Sequence, residues 1–102
     1  MSDNVIAVDW GSSQLRAWQG DKTLALPLGI SRLNGLSPRE VFEQHIAPWR
    51  ESAATPVLMA GMIGSDAGWQ PVPYLPCPVP LRALAARLCE VADNVWIVPG
   101  LR

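Results

Sequence analysis

VIAVDWGSSQLRAW (residues 5–18) decides the fold: an apolar run, an acid, a Gly-Ser-Ser turn and a second run. Four apolar residues without a polar break are typical of a strand that is covered on both faces. Asp9 follows, where this strand meets solvent. Gly11 permits a tight turn, and the small side chains of Ser12 and Ser13 leave the N–H groups of the turn open to a phosphate. We therefore predict a phosphate-binding turn beside Asp9, which would hold Mg²⁺ directly or through water, since Mg²⁺ takes one or two carboxylates and keeps several waters.

The second run, residues 14–18, leaves two interpretations open. In a strand, Gln14, Arg16 and Trp18 share one face, so Arg16 is able to point back toward the turn and neutralise a bound oxyanion. An ordinary solvated arginine is the alternative. Equally, a plain β-hairpin would need Gly11 for its backbone angles and Asp9 as a cap, without binding a ligand.

Further along, short strands alternate with helices. A turn at residues 20–22 precedes a third strand at residues 23–28. Ser37, Pro38 and Glu40 then form the N-cap, the first position and the capping box of a helix. The remaining predicted elements are a strand at residues 57–60, an extended proline-rich connector at residues 70–80, an amphipathic helix on Leu81, Leu84, Ala85 and Leu88, and a strand at residues 95–98.

The first helix carries its own packing signal. Phe42, Ile46 and Trp49 recur at i, i+4 and i+7, which predicts a stripe that packs on the sheet. Pro48 disfavours helical geometry at the residue before it, so we expect the regular helix to end or kink there.

A second glycine-bearing turn, residues 61–65, follows the predicted strand at residues 57–60. It is apolar, whereas loops that only connect are normally polar. In an open α/β sheet, ligands bind beyond the carboxyl ends of parallel strands, so we expect the two turns to converge on one crevice. Ordinary packing under a long loop is the alternative for Met62, Ile63 and Trp69. Asp66 is a candidate general base, but we expect this carboxylate to cap a turn instead.

Composition excludes several classes of function. The chain has 102 residues, one domain or less, and 49% of them are hydrophobic, enough for a core. The net charge is −1 and the eight Lys and Arg are scattered, which argues against nucleic-acid binding. Cys77 and Cys89 have no zinc or redox spacing, so we expect reduced thiols. No signal peptide and no apolar run of ~20 residues is present, so we expect a cytoplasmic protein with no membrane partner.

The chain resembles a known group of enzymes. A strand, an acid, a Gly-Ser turn and a returning strand are similar to the first phosphate-binding motif of the actin, sugar-kinase and heat-shock ATPase superfamily. The blocks that narrow the resemblance are SRLNG (residues 31–35), VLMAGMIGSDAGW (57–69), PYL (73–75) and NVWIVPGL (94–101). Together they resemble the amino-terminal part of 2-dehydro-3-deoxygalactonate kinases, over nearly the whole chain.

This resemblance implies an α/β fold: a ribonuclease-H-like lobe with a mixed five-stranded sheet in the order βββαβαβ, incomplete at its end. Residues 1–102 would be one truncated amino-terminal lobe, which is expected to be inactive alone. Its partner would be the missing carboxy-terminal lobe of its own chain, and homo-oligomerisation is left open. The implied reaction transfers the γ-phosphate of ATP, with Mg²⁺, to the 6-hydroxyl of 2-dehydro-3-deoxy-D-galactonate.

The resemblance also assigns residues to the two ligands. On the ATP side it places Asp9, Gly11, Ser12, Ser13 and Arg16. On the sugar-acid side it places Arg32, Asn34, Gly35, Gly61, Met62, Gly64 and Trp69. The general base is expected beyond Arg102.

Two other classes of protein share the opening motif. A ribonuclease-H-like, metal-dependent nuclease would need three or four clustered acids, and only Asp9 is well placed. A non-catalytic actin-like ATPase scaffold would lack the SRLNG and MAGMIGS blocks.

Overall fold

The computed structural model describes residues 5–76, 78 and 80–100. Cys77 and the last two residues, on which predictions were made, lie outside this part. Within it the strands are β1 (Ile6–Trp10), β2 (Leu15–Gln19), β3 (Lys22–Leu26), β4 (Val57–Gly61), β5 (Cys89–Ala92) and β6 (Val95–Ile97). The helices are α1 (Pro38–His45) and α2 (Leu81–Ala85), with 3₁₀ turns at Ala47–Trp49 and Met62–Gly64.

The strands form one mixed sheet in the order β3-β2-β1-β4-β6-β5. β1, β2 and β3 make an antiparallel meander, whereas β1, β4 and β6 run parallel. β5 is an antiparallel edge strand that pairs with β6. The α/β class predicted from the sequence is confirmed, and the predicted number of five strands is wrong.

The extra strand, β5, begins directly after the predicted helix, which is shorter than its sequence pattern. α2 ends at Ala85, so Leu88 lies outside it, just before β5. Asn94 has a positive φ of 60° in the turn to β6, and its N–H donates to Glu90 Oε2 (2.9 Å). A helix of two turns is marginal without tertiary support. Hairpin pairing with β6 therefore overrides the local amphipathic pattern.

Helix α1 follows its sequence signals closely. The hydroxyl of Ser37 accepts a hydrogen bond from the N–H of Glu40 (3.1 Å), and Glu40 Oε1 accepts one from the N–H of Ser37 (2.8 Å), which confirms the capping box. Phe42 and Ile46 are buried and Trp49 is half-buried, so the predicted stripe packs on the sheet. The helix ends before the 3₁₀ turn that contains Pro48, as predicted.

One face of the sheet carries the core, and the other is open in the described part of the chain. Ile6, Val8 and Trp10 of β1 are buried, but Ala7 between them is exposed and Asp9 is half-exposed. The prediction that β1 is covered on both faces is therefore wrong for this structure. The exposed or half-exposed residues of the open face are Ala7, Asp9, Arg16, Trp18, Leu58, Ala60 and Trp96.

No helix of the described residues is long and apolar enough to cross a membrane. Cys89 is a free, half-buried cysteine.

Candidate functional site

The two glycine-bearing turns lie side by side. β1 and β4 are parallel neighbours, with Asp9 opposite Ala60 and Trp10 opposite Gly61, so both strands end at the same edge. Gly61 has a φ of +101°, and a Cβ on it would lie 2.8 Å from the Trp10 carbonyl oxygen and 3.3 Å from Asp9 Oδ1. Only glycine fits here, because both the backbone conformation and the close approach exclude a side chain. The predicted convergence of the two turns is confirmed.

Asp9 and Arg16 form an ion pair at this edge. They are opposite each other in the antiparallel β1–β2 pair, and Arg16 Nη2 lies 2.7 Å from Asp9 Oδ2. Their side chains are 46% and 50% exposed. An ion pair this exposed contributes about 0–1 kcal/mol to stability, so little free energy opposes its exchange for another partner. Arg16 is thus paired with Asp9 and is not an isolated surface arginine.

The first turn, residues 11–13, has two donors to spare. The N–H of Gly11 donates to the Gln14 carbonyl (2.9 Å) and so is not available to a ligand. The N–H groups of Ser12 and Ser13 donate to no acceptor among the described residues. A Cβ on Gly11 would meet only the Gln14 oxygen, at 3.9 Å, and its φ is not positive. Nothing in the described chain therefore demands glycine at position 11.

The segment at residues 29–31 fixes the first turn from one side. Gly29 is in such close contact with Ser12 that a Cβ would overlap the Ser12 carbonyl group. The Ser31 hydroxyl adds a bond to the same carbonyl (2.7 Å) and accepts one from the Ser12 hydroxyl (3.2 Å). The backbone bonds run from the N–H of Gly29 to Ser13 O (3.2 Å), from Ile30 to Gly11 O (2.9 Å) and from Ser31 to Ser12 O (3.0 Å).

Sequence reasoning missed this contact. The only local signal was Gly29, two residues before the SRLNG block, and a pairing partner in the first turn is too far along the chain to be visible in a local pattern. The segment leaves the three carbonyls of the first turn occupied and its two serine N–H groups free.

Residues of the SRLNG block have conformational roles of their own. Asn34 and Gly35 have positive φ values of 58° and 87°, and the N–H of Leu36 donates to the Leu33 carbonyl (3.0 Å). Two central residues with positive φ define a type I′ turn, which favours Asn-Gly. Arg32 is exposed and follows the segment that holds the first turn. The block therefore adjoins the first turn.

The second turn divides into buried and exposed parts. Ile63 is fully buried, whereas Met62 is 39% exposed. A Cβ on Gly64 would point at Ile97 Cγ2, 3.0 Å away. A larger residue at position 64 would thus press on the core.

Trp69 packs against α1. Its ring centroid lies 5.3 Å from the ring centroid of Phe42. The guanidinium carbon of Arg39 lies over the same Trp69 ring, 5.8 Å from its centroid. These contacts are those expected if Trp69 serves ordinary packing, in which it holds its loop against α1.

Asp66 does not cap the turn that it lies in, contrary to prediction. Ser65 caps it instead: its hydroxyl accepts from the N–H of Ala67 (3.3 Å) and its carbonyl accepts from the N–H of Gly68 (3.0 Å). Asp66 is exposed and lines an open cavity of about 670 Å³. The other lining residues are Gly64, Ser65, Pro71, Val72, Pro73 and Tyr74.

Comparisons with known proteins show which family the chain resembles. The model of the 2-keto-3-deoxy-galactonokinase family matches residues 9–102. The 2-dehydro-3-deoxygalactonokinase of Escherichia coli (strain K12) is 47% identical over 99% of this chain and 36% of its own length. A relative from Rhizobium meliloti (strain 1021), assigned the same activity, is 28% identical over 93% of this chain and 34% of its own.

A solved structure is also similar. The crystal structure of a protein assigned as a 2-dehydro-3-deoxygalactonokinase from Sinorhizobium meliloti matches with a TM-score of 0.77 and 27% identity, over 95% of this chain and 34% of that one. The chain thus spans about a third of the length of the relatives that it matches.

Proposed function

This chain belongs to the 2-keto-3-deoxy-galactonokinase family, and from that membership we propose that it is part of an ATP-dependent sugar-acid kinase. The proposed reaction transfers the γ-phosphoryl group of ATP to the 6-hydroxyl of 2-dehydro-3-deoxy-D-galactonate. The cytoplasm, which supplies ATP, is the proposed compartment. Residues 1–102 are proposed as the amino-terminal, ribonuclease-H-like lobe; an antiparallel meander followed by parallel β4 and β6 supports this.

One observation carries the proposal: near the edge where β1 and β4 end lie an exposed ion pair of a carboxylate and a cation, and two N–H groups that donate to no acceptor among the described residues. Phosphoryl transfer needs mostly positioning and charge neutralisation, which such groups supply. The N–H groups of Ser12 and Ser13 donate to the phosphates. Arg16 leaves Asp9 for a phosphate oxygen, an exchange that costs little because the pair is exposed.

The residues at this edge fit Mg²⁺. Asp9 is half-exposed and its pairing with Arg16 is readily exchanged, so the carboxylate is accessible to an ion that keeps most of its waters. When bound, Mg²⁺ would neutralise charge on the phosphates. The absence of a side chain at Gly11, which the chain itself does not require, leaves room for the nucleotide to approach the turn.

On the sugar-acid side, the exposed Arg32 and Met62 are retained as contacts. Arg32 offers a cation to the substrate carboxylate, and Met62 offers an apolar wall. Conformation or packing within the chain accounts for Asn34, Gly35, Gly61 and Trp69, and Gly64 lines the cavity beside Asp66.

Asp9→Asn tests the proposal in a full-length protein that contains this chain. We expect turnover of 2-dehydro-3-deoxygalactonate, measured by coupled ADP release, to fall by about 10²-fold, as for the loss of a group that organises transition-state charge. The melting temperature should hardly change, because Asn keeps the shape and the lost ion pair is exposed. Asp21→Asn, at the exposed β2–β3 turn, is the matched control. Unchanged turnover and unchanged Mg²⁺ dependence in Asp9→Asn would refute the assignment.

A further inference from the structure

The loop that carries Asp66, residues 62–72, is held in place by its own backbone. Hydrogen bonds within the loop join its beginning to its end. A Cβ on Gly68 would overlap the Ile63 carbonyl, so the loop also closes tightly on itself. The bonds run from the N–H of Ser65 to Met62 O (3.0 Å), from Trp69 to Ile63 O (3.0 Å) and from Val72 to Gly64 O (2.9 Å), with the Ser65 hydroxyl on Met62 O (2.7 Å).

The carboxylate at the tip of this loop has no task within the fold. Asp66 makes no hydrogen bond or ion pair with any residue of the described ranges, and Ser65 performs the capping that a carboxylate would otherwise supply. Binding sites commonly combine an ordered backbone with a charged side chain that has no partner within the protein, because an ordered site loses little conformational entropy when a ligand binds.

The cavity beside Asp66 is suited to a small polyhydroxylated molecule. Its volume of about 670 Å³ lies within the range of small-molecule sites. Pro71, Val72 and Pro73 form an apolar wall with fixed backbone angles. Tyr74 also lines the cavity, and it is seated against Gly100, where a Cβ would overlap its ring. Apolar walls with a few fixed polar groups are typical of such sites.

The cavity lies close to the proposed phosphate edge. It begins at Gly64, three residues after Gly61, whose backbone lies against Asp9 Oδ1. The residues between them form a 3₁₀ turn, which rises about 2 Å per residue, so the cavity starts roughly 6 Å along the chain from that edge. Both features lie at the carboxyl end of β4, where open α/β sheets bind ligands.

We propose that Asp66 accepts hydrogen bonds from hydroxyl groups on the carbon chain of the sugar acid, and so determines which acceptor is phosphorylated. This inference rests on the proposed kinase function. Its orientation follows from charge: the carboxylate repels the carboxylate of the acceptor and the phosphates of ATP. The hydroxylated part of the substrate therefore lies against Asp66, and its carboxylate lies away from it. Asp66 contacts substrate but takes no part in proton transfer.

The test uses Asp66→Asn and Asp66→Ala in a full-length protein that contains this chain, with Asp21→Asn as control. Loss of hydrogen bonds to a charged group should raise the KM for 2-dehydro-3-deoxygalactonate roughly tenfold to hundredfold. The KM for ATP should stay within about twofold, since the ATP-side turn is untouched. Thermal unfolding should match the control, because Asp66 has no partner among the described residues. Sugar-acid kinetics equal to those of Asp21→Asn, or a selective rise in the KM for ATP, would overturn the inference.

A second measurement keeps the inference separable from the proposed function. Calorimetric titration with 2-dehydro-3-deoxygalactonate reports binding without turnover. Wild-type protein that binds the sugar acid in an Asp66-dependent way, but does not phosphorylate it, would refute the kinase function and support the Asp66 site. Wild-type protein that phosphorylates the sugar acid, but whose binding of it does not depend on Asp66, would support the kinase function and refute the Asp66 site.

Discussion

Gly29→Ala is the sharpest test of how the first turn is held. Gly29 has no positive φ, so alanine suffers no conformational penalty there. Its methyl group would instead overlap the carbonyl group of Ser12. That carbonyl is fixed by two hydrogen bonds from Ser31, at 3.0 Å from the N–H and 2.7 Å from the hydroxyl.

The magnitude follows from what the carbonyl must give up. Its retreat breaks both bonds from Ser31, each contributing about 1 kcal/mol, and the remaining strain of overpacking adds about 1–3 kcal/mol. We expect a loss of about 3–5 kcal/mol in the free energy of unfolding. In a domain of this size that lowers the melting temperature by at least roughly 15 °C.

Urea unfolding of the chain, followed by tryptophan fluorescence, measures this loss. Gly11→Ala is the matched control, because its Cβ meets only the Gln14 oxygen at 3.9 Å, and it should remain within about 0.5 kcal/mol of wild type. Equal stability of Gly29→Ala and Gly11→Ala would refute the reasoning, since it would mean that residues 29–31 do not press on the turn.

Two further predictions concern stability. Arg50→Lys should lower the free energy of unfolding in urea by about 2 kcal/mol, because one ammonium group cannot reproduce the guanidinium bonds to the carbonyls of Thr55 (2.9 Å), Asp93 (2.8 Å) and Ala53 (3.3 Å). The control is Arg39→Lys, at an exposed position, which should lower it by less than about 0.5 kcal/mol. Equal losses in the two variants would contradict the prediction. Hydrogen bonds from Ser37, first from its backbone N–H and then from its side chain, hold the pKa of Glu40 below its ordinary value of 4.5. The ionised carboxylate therefore adds stability to the folded state that is present above pH 4.5 and is lost as the pH falls through the lowered pKa. Melting temperatures measured against pH should show this loss in wild type and a smaller loss in Glu40→Gln, and parallel curves for the two proteins would contradict the prediction.

Local signals predicted most elements of the fold. The capping box of Ser37 and Glu40 places the start of α1, and apolar runs place β1 and β4, because these signals act between residues near in sequence. β5 could not be predicted, since four residues form a strand only through their pairing with β6.

The candidate site was predictable to the extent that topology controls it. Parallel pairing of β1 with β4 brings Asp9 and Gly61 together, and the rule for open α/β sheets anticipates this. The pairing of residues 29–31 with the first turn depends on long-range contacts that no local pattern contains. Which of Ser65 and Asp66 caps the second turn depends on backbone geometry, and the sequence offers both side chains equally.

The strand order has a consequence for how the protein folds. β1, β2 and β3 are joined by short turns, so the Asp9–Arg16 pair belongs to a local meander that forms without long-range loop closure. The parallel partner of β1, strand β4, follows it by about 50 residues, and closing that loop costs more chain entropy and more time. The contact of Gly61 with Asp9 forms only in that later step. A newly synthesised chain therefore presents the cation and the carboxylate early, and it completes the crevice only when β4 has docked.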